Sequence, residues 1–273
     1  MIGVTGATGH IGGLVARRLH ERGVPQRLIV RDPSRAPRLE GAEVATASYG
    51  DTPALLNAFY GVDVLLFVSG SESADRVALH TETADATVAA GVRRIVYTSF
   101  VAAAPDATFT FARDHWATEQ HLRANAPAYT FLRDSLYLDL IPHWVGDDGV
   151  IRGPAGDGRV GAVARSDVAD CAVAALTGDG HEGATYELTG PESISIAEIA
   201  SAVGARYYAE TLDEAYRSRE GYGGPPWEVA GWVTTYAAIA SGELDVVTSH
   251  VEQLAGHPPM SLGDLLAGGT MNR

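Results

Sequence analysis

The sequence contains no lysine; all 20 of its basic residues are arginine. That absence removes every mechanism built on a side-chain amine: a Schiff base, a phosphate-loop lysine, or a catalytic tyrosine–lysine pair. Cysteine is nearly absent as well. The one thiol, Cys171, lies in the apolar run from Val168 to Val173, so no internal disulfide can form and a buried structural role is expected. Positive charge is scarce: 20 basic against 34 acidic residues leave a formal charge of −14, which argues against a nucleic-acid surface. No apolar stretch reaches transmembrane length and a strand pattern starts at Ile2. Neither membrane insertion nor a signal peptide is therefore expected, and the expected compartment is the cytoplasm.

What the chain does have is 31 glycines, three of them spaced three apart in its first dozen residues, and 46% hydrophobic residues over 273 positions. This is enough for one large α/β domain with an elaborated lobe. Ile2 and Val4 lead into Gly6-Ala7-Thr8-Gly9-His10-Ile11-Gly12, and a helical pattern (Leu14, Val15, Leu19 against Arg17, Arg18, Glu21) follows at once. The reading is strand, tight turn, helix N-terminus. Gly6 and Gly9 let the backbone approach a pyrophosphate, the first helical N–H groups point at it, and Gly12 lets helix and strand pack closely. Thr8, His10 and Ile11 complete the expected cofactor-binding turn. The competing reading is an ordinary glycine-rich turn opening an α/β domain.

Further along, Gln26–Val30 reads as a second strand followed by Arg31-Asp32-Pro33-Ser34-Arg35. The residue closing this strand in a dinucleotide fold meets the adenosine ribose, where a carboxylate suits NAD and an arginine suits the 2′-phosphate of NADP. Arg31 and Arg35 point to NADP(H), with Asp32 read as a helix-start residue; the bland alternative is two solvated surface charges. A third strand, Glu43–Ala47, precedes Ser48 and Tyr49 beside the expected adenine, and Asp51 reads as the cap of a helix through Phe59. The apolar run Val62–Val68 reads as a buried parallel strand, ending in Ser69 and Gly70 where backbone would pass the cofactor ribose. A helix over Arg76–Ala90 carries His80, Glu82 and Asp85, read as a solvated face. The fifth strand, Arg93–Tyr97, ends in Thr98, Ser99 and Phe100. Five strands alternating with helices predict a doubly wound parallel Rossmann sheet.

The motifs TGATGHIG, VRDPSR, YGD, YTS and YTFLR, with GPAGDGR, RSDVA, YELTG and GHP in the second half, are similar to those of the NmrA-like family. These are atypical short-chain dehydrogenase/reductases, and the likeness is to the branch of quinone oxidoreductases and triphenylmethane-dye reductases. It covers nearly the whole chain and implies NADPH binding through Gly6, Gly9, Gly12 and Arg31.

Ordinary members of the wider group donate a proton through Tyr-x-x-x-Lys. Here, with Glu119 taken as the helix position four beyond the lysine, Phe111 stands for the tyrosine and His115 for the lysine; the quinone and dye reductases of the branch show a similar histidine. A quinone or triarylmethyl cation needs little proton delivery, because hydride arrival yields a delocalised phenolate or a neutral carbon. Such an acceptor is reducible by positioning over the nicotinamide. The expected pocket is Phe100, Phe109, Phe111, Trp116, Leu136 and Tyr137, with His115 and Tyr137 as the catalytic candidates. His115 orients the nicotinamide ribose or donates to a quinone oxygen. It could instead be a plain helix-face histidine, or pair with Glu119 on a metal, although no third ligand stands out and no metal is expected. The aromatics could equally be core packing. Thr98 and Ser99 are either a remnant of an acid helper or backbone contacts beside the nicotinamide, and the segment Arg133–Tyr137 is expected to cross the nicotinamide face.

Beyond it, Asp134-Ser135 reads as a helix cap leading into Leu138–Val145, Gly153–Gly158 as a turn, Asp167–Leu176 as a helix, Tyr186–Thr189 as the last core strand and Ser195 as the cap of Ile196–Val203. The expected division is a Rossmann core over 1–135, with a segment returning near 160–190, and a smaller, mostly helical substrate lobe over 136–273. Gly221–Pro226 looks like a mobile lid. The expected partner is a small planar electron acceptor, and a homodimer is compatible with the sequence. Three functions stay open: quinone reductase, triarylmethane or azo-dye reductase, and a non-catalytic NADP(H) sensor.

Overall fold

The computed structural model describes residues 1–268; positions 269–273 of the expected lobe lie outside the described residues. In chain order the strands are β1 (Ile2–Thr5), β2 (Gln26–Val30), β3 (Glu43–Thr46), β4 (Val64–Phe67), β5 (Arg94–Phe100), β6 (Tyr129–Asp134), β7 (Val150–Gly153), β8 (Arg159–Val160), β9 (Thr185–Leu188), β10 (Ile194–Ser195) and β11 (Arg206–Ala209). The helices are α1 (His10–Glu21), α2 (Thr52–Phe59), α3 (Arg76–Ala89), α4 (Thr110–Asn125), α5 (Arg165–Thr177), α6 (Ile196–Ala202), α7 (Leu212–Arg219), α8 (Pro226–Ala240), α9 (His250–Ala255) and α10 (Leu262–Ala267). They form two compact units. The first comprises 1–99, 114–133 and 165–186, and the second 100–113, 134–164 and 187–268 among the described residues.

The first unit is built on a seven-stranded sheet in the order β3-β2-β1-β4-β5-β6-β9. The pairs from β3 through β5 are parallel, with Val4 opposite Leu28 on one side and Leu66 on the other. Strand order reverses between β1 and β4, which is where a doubly wound sheet opens a ligand crevice at its carboxyl edge. Every residue of β1 and β5 is buried, as strands covered on both faces must be. Phe59, Phe67, Tyr97 and Phe131 fill one side of the sheet.

Local signals set several boundaries. The Asp51 carboxylate accepts from Ala54 N at the start of α2, and Ser195 closes a reciprocal capping box with Glu198 on α6. Three expectations are corrected. Strand β5 runs three residues beyond Tyr97. Asp134 belongs to β6 rather than to a cap, and 138–145 holds only a short 3₁₀ turn at Ile141–Trp144. Pro142 in that stretch withholds a backbone donor, and the Asp134 carboxylate is already bound by the Tyr137 hydroxyl. Finally, the second unit is less purely helical than expected: it holds two small sheets, β7 with β11 in parallel and β8 with β10 antiparallel. Strands of two to four residues leave almost no periodicity to read. Among the described residues no helix is long and apolar enough to cross a membrane.

Candidate cofactor and acceptor sites

At the carboxyl end of β1 the chain turns through Gly6, whose φ of +62° lies in the left-handed region. Gly9 N donates to Gly6 O at 2.8 Å, and a Cβ on Gly12 would stand 2.3 Å from the same oxygen. The first turn of α1 is thus pressed against the loop so closely that only glycine fits. Gly9 caps the helix in extended conformation without a side-chain hydrogen bond, and the first turn carries no acidic residue. The dipole end is neither neutralised nor plugged by a side chain, a donor set suited to a pyrophosphate. Thr8 is half-buried, His10 exposed and Ile11 buried, so Ile11 offers a ligand its backbone only. The Thr5 hydroxyl ties neighbouring strand ends together, donating to Leu66 O (3.1 Å) and accepting from Val68 N (2.9 Å) and the Tyr49 hydroxyl (2.6 Å). Burial pushes the Tyr49 phenol well above its ordinary range, so it stays a neutral donor.

Past β2, Arg31 and Arg35 are both exposed. Asp32 is not free to read a ribose. Its Oδ1 accepts from Ser34 N at 2.9 Å and Ser34 Oγ at 2.7 Å, and those bonds hold its carboxyl below the usual range. This is the turn-capping role read for it from sequence.

The feature not foreseen is a closed ring of hydrogen bonds around Gly70. Gly70 N donates to His80 Nε2 (2.9 Å), so His80 carries its proton on Nδ1, which faces the hydroxyls of Thr118 (3.0 Å) and Tyr97 (3.4 Å). The Tyr97 hydroxyl also meets His115 Nδ1 (3.1 Å), His115 Nε2 faces Arg76 NH2 (3.2 Å), and Arg76 Nε donates to Gly70 O (3.0 Å). Arg76, His80, Tyr97 and His115 are all buried. His80 is therefore no member of a solvated face, as the sequence suggested; only Glu82 and Asp85 are exposed. Burial, reinforced by the Arg76 charge, lowers His80 to about 3 and pushes His115 well below the ordinary histidine range. This corrects the expectation that His115 carries a proton near neutral pH: a guanidinium faces Nε2, so the imidazole is neutral. The signal for the ring was the i, i+4 spacing of Arg76 and His80, which puts both on one face of α3.

Glu119 is fully buried and its carboxylate is spoken for. Oε1 accepts from Ser99 Oγ (2.6 Å) and Arg133 Nε (2.7 Å), and Oε2 from Arg133 NH2 (2.6 Å). With His115 turned to Arg76 and Tyr97, the two do not make a metal pair. Thr98 Oγ1 accepts from Ser69 N at 2.8 Å, so Val68, Ser69 and Gly70 are held by side chains on both flanks.

Most of the predicted acceptor residues lie in the second unit. Phe100, Phe109 and Phe111 form a row with centroid spacings of 5.0 and 5.5 Å, continued to Trp227 at 6.0 Å. Phe100, Phe109 and Leu136 belong to that unit's apolar core, and the Phe111 ring lies where a Cβ on Gly231 would fall. Tyr137 pairs with Val163 through its backbone and donates its hydroxyl to Asp134 Oδ2 at 2.5 Å. Trp116, half-buried, belongs to the first unit.

Comparison with known proteins adds the following. The NAD(P)H-binding family profile matches residues 6–179. A Streptomyces griseus (4-alkanoyl-5-oxo-2,5-dihydrofuran-3-yl)methyl phosphate reductase is 35% identical, covering 97% of this chain and 96% of its own. The crystal structure of an NADPH-dependent quinone oxidoreductase from Escherichia coli, complexed with NADPH, is 31% identical with a TM-score of 0.89, over 98% of this chain and 99% of that one. That of the Citrobacter sp. triphenylmethane reductase complexed with NADP(H) is 30% identical, TM-score 0.87, over 98% and 99%.

Proposed function

The chain belongs to the NAD(P)H-binding family, and from that premise we propose that it is an NADPH-dependent reductase passing hydride to quinones or other planar conjugated acceptors. NADPH supplies the hydride when bound. In this reading Gly6, Thr8, Gly9, His10, Ile11 and Gly12 hold the pyrophosphate through backbone N–H groups, and Arg31 with Arg35 clamps the 2′-phosphate. Tyr49, Val68, Ser69, Gly70, Thr98, Ser99, Phe100, His115 and Arg133 border the rest of the cofactor. The functional division follows the sequence: 1–135 with the returning 160–190 segment holds cofactor, and 136–273 supplies the acceptor surface. The compartment is the cytoplasm, where a lone buried thiol such as Cys171 stays reduced.

One observation carries the reading. The sequence positions expected for a proton-donating pair carry Phe111 and His115, and His115 is buried and neutral. His115 then acts by position, bracing Arg76 and Tyr97, and moves no proton. Tyr137 donates its hydroxyl to the Asp134 carboxylate, so in this reading it acts by position and not as a proton donor. A simple ketone would lose roughly 10²–10⁴-fold without an acid. A quinone takes the charge into a phenolate and needs no such help. The likeness to the triphenylmethane reductase favours a second reading, in which a triarylmethyl cation is the acceptor.

The test is NADPH consumption with 1,4-naphthoquinone, a triarylmethane dye and cyclohexanone. Turnover of the first, or of the first two, with none of the third is expected. Brisk ketone reduction, or cofactor binding with no turnover on any acceptor, contradicts the proposal.

A further inference from the structure

The segment 68–70 leaves β4 at the carboxyl edge of the sheet, and side chains hold five of its six main-chain polar groups. Val68 N donates to the Thr5 hydroxyl (2.9 Å), Val68 O accepts from the Tyr49 hydroxyl (2.5 Å), and Ser69 N donates to the Thr98 hydroxyl (2.8 Å). Gly70 is gripped on both sides, its N–H by His80 Nε2 (2.9 Å) and its carbonyl by Arg76 Nε (3.0 Å). A Cβ on Gly70 would stand 3.3 Å from both His80 Nε2 and the Tyr49 ring, so a side chain there would crowd them. Glycine lets the peptide come this close, and bonds from outside supply the rigidity it lacks.

Arg76 is the only charged member of that set, and its placement breaks three local rules. It is the first residue of α3, where the helix dipole is positive and disfavours a cation. It is 3% exposed, and its NH1 has no hydrogen-bond partner among the described residues. The Asp114 carboxylate that faces NH1 stands 3.8 Å away. A buried guanidinium left partly unsatisfied is destabilising, and an apolar residue would fold more easily here. What the arginine adds is a planar fork that reaches two partners at once: Nε meets Gly70 O, and NH2 meets His115 Nε2 at 3.2 Å. Because a guanidinium only donates, His115 Nε2 accepts. Its proton is left on Nδ1, facing the Tyr97 hydroxyl at 3.1 Å. Departures from local preference concentrated in one residue are the mark of a functional constraint.

We propose that Arg76 is a positioning residue for the cofactor: one guanidinium ties the Gly70 peptide to His115 on α4 and keeps segment 68–70 in the shape that receives NADPH. It touches no reacting atom. The role rests on the reading above that this segment borders the cofactor, while the state of the His115 ring can be measured without NADPH. The local penalty at Arg76 is offset by a segment that need not reorder when the nucleotide arrives.

The experiment compares the whole chain with Arg76→Met and Arg76→Lys, each shown to be folded by its urea midpoint. Methionine removes every donor; lysine keeps the charge but reaches Gly70 O or His115 Nε2, not both. Long-range ¹H–¹⁵N spectra of the histidine-labelled chain, without NADPH and near neutral pH, read the ring nitrogens, with His115→Asn giving the assignment. His115 should carry its proton on Nδ1, and its Nε2 signal should move towards that of an unbonded nitrogen in Arg76→Met. A proton on Nε2 in the parent, or an Nε2 signal that Arg76→Met leaves in place, overturns the coupling whether or not the protein reduces a quinone. Fluorescence titration should show NADPH binding about tenfold weaker in Arg76→Met. KM for NADPH should rise in step, kcat should move less, and Arg76→Lys should recover part of the loss. Unchanged NADPH affinity in a folded Arg76→Met overturns the role. So do equal losses in both variants that track the fall in urea midpoint, since Arg76 would then only stabilise its unit. Should NADPH binding behave as expected while no acceptor is turned over, the positioning role stands and the reductase reading fails.

Discussion

Arg31 and Asp32 show how neighbouring residues divide a role that spacing alone leaves ambiguous. Asp32 stands where a carboxylate would select NAD, yet its oxygen is bound to Ser34 N and Oγ. Arg31 is exposed and so is Arg35, which suits a phosphate that must arrive from water. With Arg31 on the 2′-phosphate as proposed, replacing it by alanine removes a charge-assisted bond, an expected loss of about 10- to 100-fold. Titration should show NADPH affinity falling by that factor and NADH affinity hardly moving; an equal fall in both means the arginine is not at the phosphate. Gly12 is the complementary case. Its role was readable because glycine spacing has a steric meaning, and a Cβ there would meet the Gly6 oxygen at 2.3 Å.

Helix α3 carries the clearest consequence for pH. Its His80 has a folded pKa of about 3, against roughly 6.5 for an unfolded histidine. Between those values the unfolded chain binds more protons than the folded one, so protonation favours unfolding. Stability is fully present above about pH 6.5 and falls as pH drops towards 3, by up to about 1.4 kcal/mol per pH unit for this one group. His115, shifted the same way, adds to the slope. Urea unfolding at a series of pH values checks this: His80→Gln should flatten the acid limb, and an equally steep limb in the variant contradicts it. The helix also shows what sequence patterns miss. Strands β1, β4 and β5 were legible as continuous apolar runs covered on both faces, and helix α1 from its one-sided apolar period, with Gly, Pro or Asp marking the breaks between elements. The buried polar ring was not, because it joins groups from α3, β5 and α4 that are far apart in sequence, and a histidine in a helix pattern looks alike on a wet or a dry face. The turn at Ile141–Trp144 and the short strands β7, β8, β10 and β11 were hidden for a different reason: pairing with distant chain, rather than periodicity, makes them.

At the scale of the molecule, the likeness to reductases runs over nearly the whole length, and with it the absence of lysine acquires meaning. In the proposed reading, a chain with no side-chain amine, a phenylalanine at the position expected for an acid and a neutral buried histidine holds and orients, and leaves the proton to the acceptor and solvent. The pH profile of kcat for 1,4-naphthoquinone under saturating NADPH, between about pH 6 and 9, tests this most directly. A histidine donor would titrate within that range. The account predicts a flat profile, unchanged in His115→Asn once its lower stability is allowed for; a limb with a pKa near 6.5 that disappears in His115→Asn would contradict it.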